Sequence, residues 1–172
     1  MSRIDLTRAD TESLAFGLRL RVPADTGGED VVSVGEVEVT GNVEKAGRGY
    51  LLEGTVRGEA LLRCVRCLGE FPFTVAERFE LQLLPLVELP RVEEHQLGRG
   101  ELAVRFYSTP ELDLAELAGE QVELAVPMKP LCDEDCQGLC PHCGRDLNQG
   151  SCTCPKNADQ RWAPLLGFRP RK

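Results

Sequence analysis

The run YLLEGTVRGEALLRCVRC, from Tyr50 to Cys67, decides how this chain is read. Tyr50, Leu52, Gly54 and Val56 stand at alternate positions, and the run continues to Leu62. Successive side chains of an extended chain point to opposite faces, so a period of two predicts a strand with one apolar face. That run leads directly into Cys64-Val65-Arg66-Cys67, a C-x-x-C motif that aims two thiols at one point from a single tight turn. Backbone N–H groups of such a turn can also donate to the sulfurs.

Toward the amino terminus the same alternation recurs. Leu14, Phe16, Leu18, Leu20 and Val22 alternate with Ala15, Gly17, Arg19 and Arg21. Gly27-Gly28 makes a turn, and Val32, Val34, Val37, Val39 and Val43 follow, with a change of phase at Gly35-Glu36 that predicts a bulge or turn. Gly41-Asn42 and Gly47-Arg48-Gly49 are further turn signals. Beyond Cys67, Phe71, Phe73 and Val75, then Phe79, Leu81 and Leu83, read as a pair of strand-like runs bounded by Pro85 and Pro90. The acidic, breaker-rich stretch from Val87 to Gly100 reads as a mobile loop, and Leu102, Val104 and Phe106 as a short strand. Several short antiparallel strands with frequent glycine suggest a barrel or sandwich.

The pattern changes at Ser108. Asp113 stands three residues before Glu116, as in a capping box, and Leu114, Leu117, Ala118, Gln121, Val122 and Ala125 follow helical spacing. Leu124 and Val126 fit that face less well, and Pro127 and Pro130 end the helix. The expected fold class is therefore α+β. A mainly antiparallel β-domain occupies 1–107, a helix with its proline-rich exit 108–130, a zinc-ribbon-like cysteine segment 131–154 and a basic tail 155–172.

Composition narrows the function. The 172 residues are 42% hydrophobic and 28% charged, which suits one real core with a small appended module. The formal net charge of −8 argues against a broad phosphate-holding surface, since affinity for phosphates comes from Lys and Arg displacing counterions. The first residues lack the apolar stretch of a secretory signal, and no run approaches the length of a membrane helix. The expected address is the cytoplasm, where thiols stay reduced. Eight cysteines there point to metal or redox chemistry rather than to disulfides.

The cysteines are clustered: Cys64 with Cys67, Cys132 with Cys136, Cys140-Pro141-His142-Cys143-Gly144, and Cys152-Thr153-Cys154. Zinc takes four ligands in a tetrahedron, so eight thiols suit two structural ions. The preferred sets are Cys140, Cys143, Cys152 and Cys154 for one, and Cys64, Cys67, Cys132 and Cys136 for the other. Cys64 and Cys67 could instead join Cys140 and Cys143, as two knuckles do in an ordinary ribbon. Cys132, Cys136 and Cys140 share a helical spacing, but Gly138 argues against a helix there. A redox dithiol and an iron–sulfur cluster are the competing chemistries. The dithiol is disfavoured because Cys64 follows a strand instead of opening a helix. His142 lies between two cysteines that already fill a site, and His95 reads as surface.

These motifs resemble the YceD family, bacterial and plastid proteins linked to accumulation of large-subunit ribosomal RNA. Leu131-Cys132 through Cys140-Pro141-His142-Cys143-Gly144 to Asn148, followed by Cys152-Thr153-Cys154, is similar to the family's carboxy-terminal signature. Arg63-Cys64-Val65-Arg66-Cys67-Leu68 resembles its central motif, Glu120-Gln121 to Pro130 its helix and exit, and Asp159 to Leu165 its closing segment. The resemblance covers roughly residues 50 to 168 and implies a role in ribosomal RNA processing or large-subunit biogenesis, with ribosomal RNA or a ribosomal or assembly protein as partner.

The carboxy-terminal tail offers a local site for RNA or a partner. Lys156, Arg161, Arg169, Arg171 and Lys172 face only Asp159, and Trp162 could stack on a base. The same tail could equally pack back on the core through Trp162, Leu165, Leu166 and Phe168. The acidic remainder suits a basic protein by charge complementarity. The sequence contains no glycine-rich phosphate loop, H-E-x-x-H helix or G-x-S-x-G elbow, and only two histidines. The expectation is a non-catalytic protein without a small-molecule substrate or a membrane partner.

Overall fold

The computed structural model describes residues 2–23, 26–88, 103–154 and 161. Its strands are β1 (Arg3–Asp5), β2 (Leu14–Arg21), β3 (Val31–Val34), β4 (Glu36–Ala46), β5 (Gly49–Arg63), β6 (Glu70–Pro85), β7 (Val104–Tyr107) and β8 (Glu111–Asp113), followed by helix α1 (Leu114–Ala125). Six strands form one sheet in the order β2-β4-β5-β6-β7, with β3 beside β5, and β1 and β8 form a separate two-stranded ribbon. The fold is thus a mostly antiparallel sheet with one helix. Among the described strands, only β7 runs parallel to its neighbour, β6. The six-stranded sheet is backed by the helix, and the ribbon of β1 and β8 stands apart from it among the described strands.

The alternation read from Tyr50 onward becomes the centre of the sheet. Strand β5 pairs with β6 from Tyr50↔Leu83 to Arg63↔Glu70, so the two phenylalanine-rich runs after Cys67 are one continuous strand. Leu52, Val56 and Leu62 of β5, Val37, Val39 and Val43 of β4, and Val75 and Leu83 of β6 are all fully buried. Helix α1 covers this face with Leu114, Leu117, Ala118 and Val122. Each Leu or Val so buried contributes roughly 1.5–3 kcal/mol. One layer of helix on one layer of sheet gives both elements a place for their apolar face.

One row across the inner face reads Phe16, Gly41, Gly54 and Phe79, each opposite the next. A methyl group on Gly54 would sit 2.5 Å from the Phe79 ring and 2.8 Å from the Thr40 carbonyl oxygen. The glycine there leaves room for a ring to lie across the neighbouring strand.

The phase change at Gly35 is a break between β3 and β4, where the Gly35 N–H donates to the Glu59 carbonyl at 2.9 Å. Upstream of it a second irregularity lies between Val31 and Ser33. It turns Val32 outward and Val31 inward, correcting the expectation that Val32 shares the inner face. The helix begins as its cap predicts. Asp113 accepts from the N–H groups of Ala115 and Glu116, and Val126 ends the helix in an extended conformation. Leu124, off the apolar face, is exposed. The ribbon of β1 and β8 brings Ser2 to the same cap, where its hydroxyl donates to Asp113.

Among the described residues, no helix is long and apolar enough to cross a membrane. Most of the expected loop Val87–Gly100 lies outside the described residues, as does Leu102.

Candidate metal centres

Strand β5 ends at Arg63 and β6 begins at Glu70, so the first C-x-x-C motif is the turn of the longest hairpin in the sheet. The Cys64 N–H donates to the Gly69 carbonyl at 2.9 Å, and the Leu68 N–H donates back to the Cys64 carbonyl at 2.9 Å. The second motif repeats this pattern without a sheet beneath it. The Cys140 N–H donates to the Arg145 carbonyl at 2.8 Å, and the Gly144 N–H donates to the Cys140 carbonyl at 2.9 Å. In both turns the residue after the second cysteine takes a left-handed backbone: Leu68 at φ 59° and Gly144 at φ 70°.

The eight sulfurs gather into two groups. Cys64, Cys67, Cys132 and Cys136 form the first, and Cys140, Cys143, Cys152 and Cys154 the second, with all four sulfurs of each group within 4.8 Å of one another. The sulfurs of Cys64 and Cys136 lie 3.8 Å apart, those of Cys67 and Cys132 3.6 Å, and those of Cys140 and Cys152 3.3 Å. A zinc tetrahedron with Zn–S near 2.3 Å has sulfur–sulfur edges of about 3.8 Å, and a disulfide is far shorter. All eight thiols are free. The donor set therefore fits a soft dication at each group. The alternative pairing of Cys64 and Cys67 with Cys140 and Cys143 is not formed, and Gly138 at φ 71° excludes a helix through Cys132, Cys136 and Cys140. His142 is exposed and belongs to neither group.

Local hydrogen bonds shape the ligand loops. Asp133 accepts from the Asp135 N–H at 2.8 Å and its carbonyl from the Cys136 N–H at 3.1 Å, which folds the chain from Cys132 back to Cys136. Arg66 lies inside the first knuckle, and its guanidinium donates to the carbonyls of Glu134 at 3.0 Å and Cys136 at 2.9 Å. It clamps the second half of the ligand set onto the first. Gly138 permits the close approach: a methyl group there would stand 3.0 Å from the Arg66 carbonyl oxygen. In the second group Asp146 caps the short turn Leu147–Gln149, and Arg145 reaches the Ser151 carbonyl at 3.4 Å.

The thiols of each group are electrically unequal. Burial raises the Cys64 pKa, but backbone N–H donors from Cys67, Cys132 and Arg66 outweigh it and bring the thiol down to about 6. Backbone N–H groups of Cys143 and His142, with the Cys152 thiol, bring Cys140 down to about 6. Competition with the Cys67 thiol, and then burial, push Cys132 up to about 12. Competition with Cys143, and then burial, push Cys154 up to about 12. A first thiolate thus forms readily at each knuckle, and the last forms only against the accumulated negative charge. A bound dication would remove that penalty.

Sequence reasoning named all eight cysteines, and the structure brings them together in the two preferred sets. It missed the clamp by Arg66 and the contact of Asn148, whose Nδ2 donates to Cys136 Sγ at 3.3 Å. An arginine inside a C-x-x-C motif and a side-chain amide beside a ligand loop were visible signals, but no spacing rule links either to a distant carbonyl or sulfur. Of the tail residues, Arg161 lies on the surface, whereas Lys156, Trp162, Arg169, Arg171 and Lys172 fall outside the described residues.

A family model described as "Large ribosomal RNA subunit accumulation protein YceD" matches residues 52–169, a span that contains both cysteine groups. An uncharacterized protein of Mycobacterium tuberculosis is 32% identical over 130 residues, covering 72% of this chain and 58% of that protein. A maize protein named "Large ribosomal RNA subunit accumulation protein YCED homolog 1, chloroplastic" is 29% identical over 144 residues, covering 70% of this chain and 49% of its own. The Arabidopsis thaliana protein of the same name is 25% identical over 194 residues, covering 98% of this chain and 60% of its own. The chain spans about half to three-fifths of the length of these relatives. No solved structure matches it.

Proposed function

The chain belongs to the YceD family of large ribosomal RNA subunit accumulation proteins, and from that membership we propose that it is a non-catalytic, zinc-stapled factor. It assists processing or accumulation of large-subunit ribosomal RNA, and it works in the cytoplasm. The observation that carries the metal part of this reading is the convergence of eight thiols into two groups of four. Catalytic zinc keeps a position open for water or substrate, whereas four thiolates close the coordination shell. Each ion when bound supplies two positive charges and four ligand bonds. The chain's own residues do the rest: Arg66 holds the loop Cys132–Cys136 against the first knuckle, and Asp146 sets the turn that returns Cys152 and Cys154 to the second.

The partner is a ribosomal or assembly protein, or ribosomal RNA itself. The net charge of −8 favours a basic protein over broad phosphate contact. The cations of the tail, Lys156, Arg161, Arg169, Arg171 and Lys172 with Trp162, supply the place at which RNA is touched.

The test is depletion of the protein in its own cells, with large-subunit ribosomal RNA measured against small-subunit RNA. Crosslinking in growing cells is run alongside to identify the bound RNA and protein. The expected result is a selective loss of large-subunit RNA, restored by the intact chain, with crosslinks to ribosomal RNA or to assembly proteins. Unchanged RNA levels together with crosslinks only to unrelated proteins would overturn the proposal.

A further inference from the structure

We infer that Asn148 couples the two metal centres, so that an ion held at one tightens the hold on an ion at the other. The inference rests on the two-centre reading above.

Asn148 lies in the chain between Cys143 and Cys152, inside the ligand loop of the second centre. Its side chain serves the first. Nδ2 donates to Cys136 Sγ at 3.3 Å, and Oδ1 accepts from the Gln137 N–H at 2.7 Å. The amide is itself held in place, because Asp146 Oδ1 accepts from both the Asn148 backbone N–H at 2.9 Å and Nδ2 at 2.8 Å. Two backbone links keep the segments in register: the Leu147 N–H donates to the Gly138 carbonyl at 2.9 Å, and Leu139 bridges Asp146. Both ends of one primary amide are thus engaged on Cys136 and Gln137, and its root is fixed by a loop that the second centre closes.

The chemistry gives this contact a direction. A donated N–H orients a ligand sulfur and shares the negative charge that a metal-bound thiolate carries, as contacts behind a ligand do at metal sites generally. With the second centre empty, the loop between Cys143 and Cys152 loses its two cysteine anchors and keeps only the links of Leu147 to Gly138 and Leu139 to Asp146, so Asn148 is held less firmly at the position from which it reaches Cys136. The first centre then loses a donor to one of its four sulfurs. Binding free energies are reciprocal, so loss of metal from the first centre weakens the second by the same factor. An asparagine that served only to form a turn would affect the second centre alone.

The test uses the full chain, reduced and stripped of metal, with its fold checked by circular dichroism. Zinc is added in competition with a chromophoric chelator, and native mass spectrometry counts the zero-, one- and two-ion forms. Four proteins are compared: the unaltered chain, Asn148→Asp, Cys143→Ser, and the two changes combined. Asn148→Asp keeps the size of the side chain and removes the N–H. Asn148→Ala is run as a fifth protein, outside that set of four, to separate loss of the donor from gain of a charge. The unaltered chain is expected to pass from no ions to two with little one-ion form. Both Asn148 variants are expected to accumulate the one-ion form and to hold zinc at the first centre about 10-fold more weakly. Cys143→Ser should weaken the first centre by a similar factor when Asn148 is present and by nothing further when it is changed. Equal affinity of the first centre in all four proteins would overturn the inference. So would a Cys143→Ser penalty that persists undiminished in the combined variant. Should Cys143→Ser fail to fold, Cys154→Ser, which removes another sulfur of the second group, takes its place in the same comparison. A chain that takes up no zinc at either centre would instead remove the two-centre reading beneath the inference.

Discussion

Behind Cys64 and Cys67 the chain turns with Leu68 in the left-handed region, and behind Cys140 and Cys143 the same position is Gly144. The hydrogen bonds around the two turns are otherwise alike, and both first cysteines are drawn to a pKa of about 6. What differs is the support. The first knuckle closes a hairpin of paired strands, with Cys64 buried at its tip and Cys136 buried beside it. The second has no sheet under it, and Cys143 is exposed. A left-handed residue with a side chain costs roughly 1–2 kcal/mol. The hairpin holds Leu68 in that conformation regardless, whereas the unsupported turn uses the one residue for which the conformation is free.

The comparison is broken most sharply through the ligands. Cys64→Ser and Cys143→Ser each remove one thiolate, but the chain between Cys67 and Cys132 is eight times as long as that between Cys143 and Cys152. The difference in closure entropy is about 1.8 kcal/mol. Urea unfolding of the zinc-loaded protein is therefore expected to show a larger loss for Cys64→Ser by about that amount, increased by the burial of Cys64. Equal losses would mean that the first centre does not staple the sheet to the cysteine segment.

Gly138→Ala comes next. It meets both a left-handed φ of 71° and the Arg66 carbonyl oxygen at 3.0 Å, so a loss of about 2 kcal/mol is expected in the same measurement. Gly144→Ala meets strain alone, since nothing lies within 4 Å of its added methyl group, and should cost about 1 kcal/mol. Leu68→Gly should go the other way and stabilise by about 1 kcal/mol, because Leu68 is 58% exposed and gives up little packing. A destabilising Leu68→Gly would show that the leucine side chain does more than tolerate its backbone.

The smallest expected difference is in proton chemistry. In the metal-free chain, Cys64 and Cys140 titrate at about 6 against a usual value of 9.0. Their folded pKa values are depressed, so the stability they contribute is complete above about pH 9 and is lost as pH falls through about 6. Cys132 and Cys154 behave oppositely: their contribution is present below about pH 9 and is lost as pH rises through about 12. Alkylation of Cys64 and Cys140, followed by peptide mass mapping, should fall off over the same pH range at both sites. Cys64 should react more slowly throughout, because it is buried. Widely separated midpoints would mean that the two turns do not present their N–H groups alike.

Much of this fold is visible in the sequence where long runs repeat one period. Strand β5, the inward faces of β4 and β6, and the Asp113 cap of α1 all follow from alternation or capping chemistry. The three-residue strands β1 and β8 are too short to show a period, and their pairing joins the first residues of the chain to the start of the helix. Val31 and Val32 are both valine, so nothing in the residue types marks which one turns inward. The parallel pairing of β7 with β6 leaves no mark in the residues, because a period of two reads the same in either strand direction. At the candidate centres, clustering exposes the cysteines because metal ligation requires a particular residue type. Arg66 and Asn148 act through contacts 68 to 70 and 11 to 12 residues away in the chain, and no local pattern records such contacts.

The central claim is that four-thiolate metal centres hold the cysteine segment to the sheet. Native mass spectrometry of the purified full chain, prepared under reducing conditions and paired with elemental analysis, tests it most directly. The account predicts a mass increase matching two zinc ions per chain, with all eight thiols protected from alkylation until a chelator removes the metal. A folded chain that carries no metal and whose eight thiols alkylate freely would contradict it.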